Sequence, residues 1–308
     1  VSTHYYRFTR RGTQERRRTP LLEQVLARAD ASAPVSDWRA DAFRVIAGPG
    51  DSMPGVGAAA LYADKGTIQA ASVFLATPVA YVAEMSNVRL PADGILSLDP
   101  PEADALAADF NRVWNDAGVR LLAGRRTDLF CVTDAPIAAT TCDPEEVLDR
   151  HIEEYLPAGA AAARLRQLMS EIEMWLFAHA VNRTRLARGA PAVNGLWIWG
   201  GGPALSSLPP IVGWTSGRDP FFQAFATRPM VEGAATGAGA GVAVIGVQPG
   251  SDEWRDAEAH RLERSLADLR GGRITRLDLS AGDRCFSIGA RSGWRFWRRR
   301  RPWWESFA

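Results

Sequence analysis

Lysine is almost missing from this chain: of its 36 basic residues only Lys65 is lysine, and the remainder are arginine. Such a skew reads as coding bias on a solvated surface rather than as a function. Histidine and cysteine are also scarce, with four and three in 308 residues. Cys131, Cys142 and Cys285 form no Cys-x-x-Cys pair, which excludes the common zinc and dithiol motifs. Three thiols cannot all pair internally, so buried free cysteines in a reducing compartment, and a cytoplasmic location, are expected. His4, His151, His179 and His260 show neither a His-x-x-x-His nor a His-x-Asp spacing. His179 closes an apolar helical pattern and is expected to be structural. No Gly-x-Ser-x-Gly elbow is present, which removes the usual mark of a serine hydrolase. No apolar run reaches the roughly 18 residues of a membrane-spanning helix. The first twenty residues lack an apolar segment after their basic stretch, so no secretory signal is expected.

What is present is a globular composition, 46% apolar and 23% charged, sufficient for a large core. The net charge of +1 hides an asymmetry. Residues 1–20 and 291–308 each carry six Arg and one Glu, leaving the middle of the chain at −9. Attraction to polyanions is therefore expected at the two ends.

Apolar spacing predicts a helix through Leu21, Leu22, Val25 and Leu26. The Gly48–Ser52 stretch lacks the Gly-Lys-Ser/Thr ending of a phosphate loop and is read as surface. Strands are expected at 68–75 and 79–85, interrupted by Pro78. Residues 94–133 read as strand, helix, strand, strand, the helix running over 101–117 after an Asp99 cap. Asp143-Pro144 predicts a short helix through His151, and Leu165, Leu168, Met169, Ile172, Trp175 and Leu176 mark a long one over 160–179. A strand buried on both faces is expected at Gly195–Trp199 and another at Val242–Val247, then a helix at 252–269 and strands at 273–279 and 285–288. Arg183, Arg185 and Arg188 follow the long helix; Asn182 and Arg185 could line a cleft for an anion, which a guanidinium grips with two parallel bonds. At the carboxyl end, Trp294, Phe296, Trp297, Trp303 and Trp304 interleave with arginines, and Arg295, Trp297, Arg298 and Arg299 are the candidates for a nucleic-acid or membrane surface. The competing reading is a closing strand with a solvated tail.

The stretch Asn182-Arg-Thr-Arg185 through Gly189-Ala-Pro191-Ala-Val-Asn194 to Leu196-Trp-Ile-Trp199-Gly-Gly-Gly-Pro203 resembles the signature of archaeal-type cofactor-independent phosphoglycerate mutases, members of the alkaline phosphatase superfamily. Glu171-Ile-Glu-Met174 and Arg295-Phe-Trp-Arg-Arg299 bring it closer to the bacterial RpfE-type regulatory proteins. The resemblance spans residues 90–300 and is strongest over 165–202. It implies an α/β protein with a mostly parallel, alkaline-phosphatase-like core sheet and a smaller α+β cap-like module. The corresponding division is a basic, disordered N-terminus at 1–20, core at 21–90, the module at 91–190, core again at 191–290 and an Arg/Trp tail at 291–308. Asn182, Arg185, Asn194 and Trp199 are the ligand-site candidates that follow. Superfamily mutases hold two metal ions with several Asp and His residues; after Trp199 this chain has His260 as its only histidine and no Asp-x-x-Gly-His pattern, and Val231–Gly237 resembles the mutase Gly-Ala-Thr-Gly loop without the motif that should follow. The expectation is therefore a non-catalytic regulatory protein without a cofactor, acting on a small anion or a protein partner. A divergent mutase or phosphotransferase using manganese or zinc is the alternative, and nucleic acid is the less favoured partner.

Overall fold

The computed structural model describes residues 2–8, 18–47, 50–126, 128–226, 239–245, 261–295 and 297–307. They form two compact units, one from Val1–Met53 with Pro209–Ala308 and the other from Pro54–Leu208. The division differs from the expected one. Residues 54–90 and 191–208 join the module, not the core.

The chain opens with β1 (Thr3–Phe8), α1 (Pro20–Arg28), β2 (Asp30–Ala31) and α2 (Trp38–Ile46). The second unit then contributes α3 (Val56–Lys65), β3 (Ser72–Val79), β4 (Val82–Ala83), β5 (Val88–Leu90), α4 (Pro100–Val113), β6 (Val119–Ala123) and β7 (Leu129–Thr133). It continues with α5 (Pro144–Val147), β8 (Arg150–His151), α6 (Ala162–Phe177), α7 (Ala180–Ala187) and β9 (Gly195–Gly202). The first unit resumes with β10 (Gly213–Gly217), α8 (Pro220–Ala224), β11 (Ala240–Ile245), α9 (Glu263–Arg270), β12 (Arg276–Ala281), β13 (Arg284–Gly289) and α10 (Trp303–Ser306).

In the first unit six strands lie in the order β10-β11-β1-β12-β13-β2. The pairings β10–β11, β11–β1 and β1–β12 are parallel and only those made by β13 are antiparallel, so the central sheet is mostly parallel as expected. Its middle strand is β1, in which all six residues are buried. For Thr3–Phe8 this corrects the reading of residues 1–20 as a disordered basic end. Tyr5, Tyr6 and Phe8 put aromatics into the core, and two of the buried polar side chains find partners: Arg7 donates to Ser280 Oγ and the Gly282 carbonyl, and His4 meets Ser265 Oγ at 2.9 Å. Leu22, Val25 and Leu26 of α1, begun by Pro20 at a position where its missing N–H costs nothing, pack with Tyr6, Phe8, Leu277 and Leu279. Trp303 and Phe307 join the same cluster, so the carboxyl end closes on the core as a short helix and not as a strand.

The second unit is α+β. Four antiparallel strands run β6-β7-β3-β9, and a small sheet holds β4-β5-β8. β3 continues through Pro78, which the sequence pattern treats as a break. β7 pairs only as far as Leu75, and beyond it that edge of β3 meets only the short bridge at Ile95, where the Pro78 carbonyl accepts from the Leu96 N–H at 2.9 Å, so the missing Pro78 N–H falls outside a continuous ladder. Residues 94–98 form no strand beyond one bridge, Ile95 to Val79, and the helix after Asp143 ends at Val147. α6 buries Leu165, Leu168, Met169, Ile172 and Leu176, the stripe its spacing predicts. β9 is buried from Gly195 to Trp199 as expected, but in this antiparallel sheet. Val231–Gly237, His260 and the start of the helix expected at 252–269 lie outside the described residues.

Candidate functional site

The signature residues of the second unit come together around the turn from α6 into α7 and onward to β9. His179 caps α7: its Nδ1 accepts from the Val181 N–H at 3.2 Å, which leaves Nε2–H to donate to Asp109 at 3.1 Å. Burial lowers its pKa below the ordinary value, with Asp109 opposing that shift. Asn182 imitates a piece of backbone. Its Nδ2 donates to the Leu176 and Val193 carbonyls and its Oδ1 accepts from the Val193 N–H, each at 2.8 Å. Asn194 does the same for Tyr81, accepting from its N–H at 2.7 Å and donating to its carbonyl at 2.9 Å.

Arg185 is buried, and its partners are internal. It donates from Nε to the Pro191 carbonyl at 2.7 Å, and from Nη1 to the Ser97 carbonyl and to Glu102 Oε2 at 2.7 Å. Glu102 is a hub on α4: it also accepts from the Asp99 N–H and from Arg188, which reaches Asp99 as well. The Arg185 guanidinium thus carries its own carboxylate, and an external anion would have to displace Glu102. Trp199 donates to Thr77 Oγ1 at 2.8 Å, and Trp197 to the Cys142 carbonyl at 2.7 Å. Of the four ligand-site candidates, the structure gathers Asn182, Arg185 and Asn194 around the α6–α7–β9 connection. Trp199 lies farther along β9.

The carboxyl edge of the parallel strands in the first unit is where open α/β sheets ordinarily hold ligands. Here Arg7, near the end of β1, places its guanidinium 4.7 Å from the centre of the Trp38 ring, and Arg39 places its own 4.5 Å from it. Arg39 grips Asp219 through Nε and Nη2, while Asp219 caps α8 by accepting from the Phe221 and Phe222 N–H groups. Asp278, buried on β12, is held by Arg276 at 2.6–2.9 Å and by Ser287 Oγ at 2.6 Å. No spacing rule announces this assembly, because Arg39 and Asp219 are 180 residues apart.

The described residues here do not fit a two-metal centre. Two guanidiniums and an indole occupy this part of the edge, Asp219 accepts from Arg39 and two N–H groups, and Asp278 accepts from Arg276 and the Ser287 hydroxyl. A dication there would meet like charge. Among the described residues no three His, Cys, Asp or Glu side chains converge as metal ligands. The thiols are unsuited to chemistry at neutral pH: burial pushes Cys131 up to about 12 and Cys285 up to about 11, and Cys142 rises through burial and the neighbouring Glu146.

At the carboxyl end the four surface candidates divide. Arg295 donates to the Arg28 carbonyl and pairs with Asp30 at 2.7 Å, and Arg298 donates to the Ala29 carbonyl at 2.8 Å. Trp297, 67% exposed, and Arg299 face solvent. No described helix is long and apolar enough to cross a membrane.

No family model matches the chain. Over 200 residues, 61% of its length, it is 24% identical to the 2,3-bisphosphoglycerate-independent phosphoglycerate mutase of Methanosarcina mazei, 49% of which is covered. It is 35% identical over 68 residues to the corresponding enzyme of Methanothrix thermoacetophila, covering 22% of this chain and 17% of that one. With the probable enzyme of Geobacter sulfurreducens it shares 37% over 65 residues, 21% of this chain and 16% of the relative. The chain therefore spans about half the length of the first of these relatives and under a fifth of the other two. Among solved structures, the cofactor-independent phosphoglycerate mutase of Thermoplasma acidophilum aligns with a TM-score of 0.37 at 13% identity, over 94% of this chain and 89% of that one. A Pyrococcus horikoshii protein aligns at 0.42 and 12%, over 94% and 87%. Through the sequence matches, the chain is a homologue of the cofactor-independent phosphoglycerate mutases over part of its length.

Proposed function

We propose that the chain is a non-catalytic, regulatory relative of the cofactor-independent phosphoglycerate mutases, retaining a mostly parallel core and acting through a small anion or a protein partner. One observation carries this reading. Among the described residues, the carboxyl edge of the core sheet carries Arg7 and Arg39 against the Trp38 ring and Arg39 on Asp219, so positive charge stands where a metal pair would need carboxylates. The segments that resemble RpfE-type regulatory proteins, Glu171–Met174 and Arg295–Arg299, support the regulatory half. In the second unit Asn182, Arg185 and Asn194 spend their hydrogen bonds on the scaffold, which favours a structural use of the signature over a catalytic one.

The alternative is a divergent mutase or phosphotransferase with manganese or zinc. Metal analysis of protein purified without chelator, beside an assay for interconversion of 2- and 3-phosphoglycerate, separates the two. The expected result is metal far below stoichiometric and no turnover; a paired metal content with turnover would overturn the proposal. Calorimetry with 3-phosphoglycerate tests the anion: saturable heat supports it, and no heat leaves the protein partner.

A further inference from the structure

The inner stripe of α6, from Leu165 to Leu176, is buried. On the opposite face, at helical spacing, stand Ala163, Arg166, Ser170, Glu173, Met174 and Phe177. Met174 is 70% exposed and Phe177 90%, so the end of this face is apolar where it meets water. Its two charges are of opposite sign. Glu173 is half-buried and has no hydrogen bond or ion pair among the described residues, and burial raises its pKa above the ordinary value. Arg166 donates from Nη1 to the Pro157 carbonyl at 2.8 Å and meets no carboxylate among the described residues. The two cannot pair with each other, because they are two turns and about 10 Å apart along the axis.

We propose that this face is a self-association surface, on which the α6 of a second copy of this chain packs antiparallel with Ser170 at the crossing. Glu173 stands about 4.5 Å to one side of Ser170 along the axis and Arg166 about 6 Å to the other. Reversing one helix brings Glu173 of each copy level with Arg166 of the other, to within about 1.5 Å. A heptad separates the two residues, so they lie only about 20° apart around the helix, and a two-fold axis keeps that flank on one side of both copies. Two Glu173–Arg166 ion pairs form. Ser170 is short enough for the helices to approach to about 8–10 Å, and Met174 and Phe177 of each copy cover the Arg166 stem and Ala163 of the other. The acid and the base that complement one another sit on one surface, which selects a second copy over an unrelated partner. One helix pair buries less than the roughly 1,200 Å² of a lasting interface, so the association is weak, in the micromolar range or above. It applies to a catalytic and a non-catalytic chain alike.

Sedimentation velocity of the full chain, over a concentration series reaching the submillimolar range, tests the proposal. The parent is expected to move from monomer towards dimer as concentration rises. Glu173→Arg sets arginine against arginine across the axis, and Arg166→Glu sets acid against acid, so each alone is expected to dimerise about tenfold more weakly or worse. An equimolar mixture of the two variants recovers both ion pairs and is expected to dimerise as the parent does. Phe177→Ser is expected to weaken the dimer with the thermal midpoint unchanged, because that ring is exposed. Arg166→Glu gives up the Pro157 carbonyl; where it fails to fold, Glu173→Arg and Phe177→Ser, which remove no hydrogen bond of the fold, decide the question. A parent that stays monomeric throughout, Glu173→Arg or Phe177→Ser dimerising as the parent does, or a mixture no stronger than its components would each overturn the proposal.

Discussion

Glu102 collects two guanidiniums and a backbone N–H on one buried carboxylate, so each partner is held in place by the others. Removing one member of a buried pair leaves the other charge uncompensated, typically at about 3–5 kcal/mol. Arg185→Ala is expected to lower the unfolding free energy by that order, with Arg188→Ala, on the exposed side of the hub, costing less; equilibrium urea unfolding followed by circular dichroism checks both. The resemblance singles out Arg185, but its counter-charge lies 83 residues earlier, where no spacing rule connects them. That is why the sequence suggests an anion cleft at Arg185 and gives no hint of the internal ion pair that the structure shows. Histidine gives a pH dependence. Burial lowers the pKa values of His4 and His179 below 6.5, so between 6.5 and the folded values the unfolded chain binds more protons. Stability therefore rises with pH through this window and falls as the solution is acidified. The thermal midpoint is expected to drop between pH 7.5 and 5.5, and His179→Asn, whose Oδ1 can still cap α7, is expected to reduce the slope.

The contact of α3 with β9 and β3 is close enough to dictate composition. A Cβ on Gly202 would lie 2.8 Å from the Gly55 Cα, and one on Gly201 2.1 Å from the Phe74 ring. The run Gly200–Gly202 is thus a packing surface. Gly202→Ala meets backbone, which cannot swing aside, and is expected to destabilise by about 1–3 kcal/mol, the usual cost of overpacking; thermal unfolding beside the parent chain measures it. α3 itself was not legible. Val56 to Leu61 are buried all round, so Val-Gly-Ala-Ala-Ala-Leu shows no amphipathic stripe. α4 and α6 were legible because each keeps one wet face, and β9 because a run buried on both sides is continuously apolar.

At the scale of the molecule, the mostly parallel sheet was legible and the division into units was not. The resemblance set the boundary near 190, yet β9 pairs with β3 and binds the second unit from Pro54 to Leu208 into a continuous piece with its own core. A fragment of residues 54–208 is expected to fold by itself, with cooperative thermal unfolding and a near-ultraviolet signal from Trp114, Trp175, Trp197 and Trp199. Residues 1–53 alone are expected to show neither, because β1 has its neighbours elsewhere. The placement of β1 also sets an order of events on the ribosome. Tyr5 pairs with Val242 and with Asp278, so this aromatic strand leaves the exit tunnel more than 230 residues ahead of either neighbour. At ordinary translation speed the wait is on the order of 10–50 s. Throughout it, an apolar strand with two unsatisfied edges is exposed to the cell while the middle of the chain has already folded, and that interval is when chaperone capture or aggregation would decide the yield.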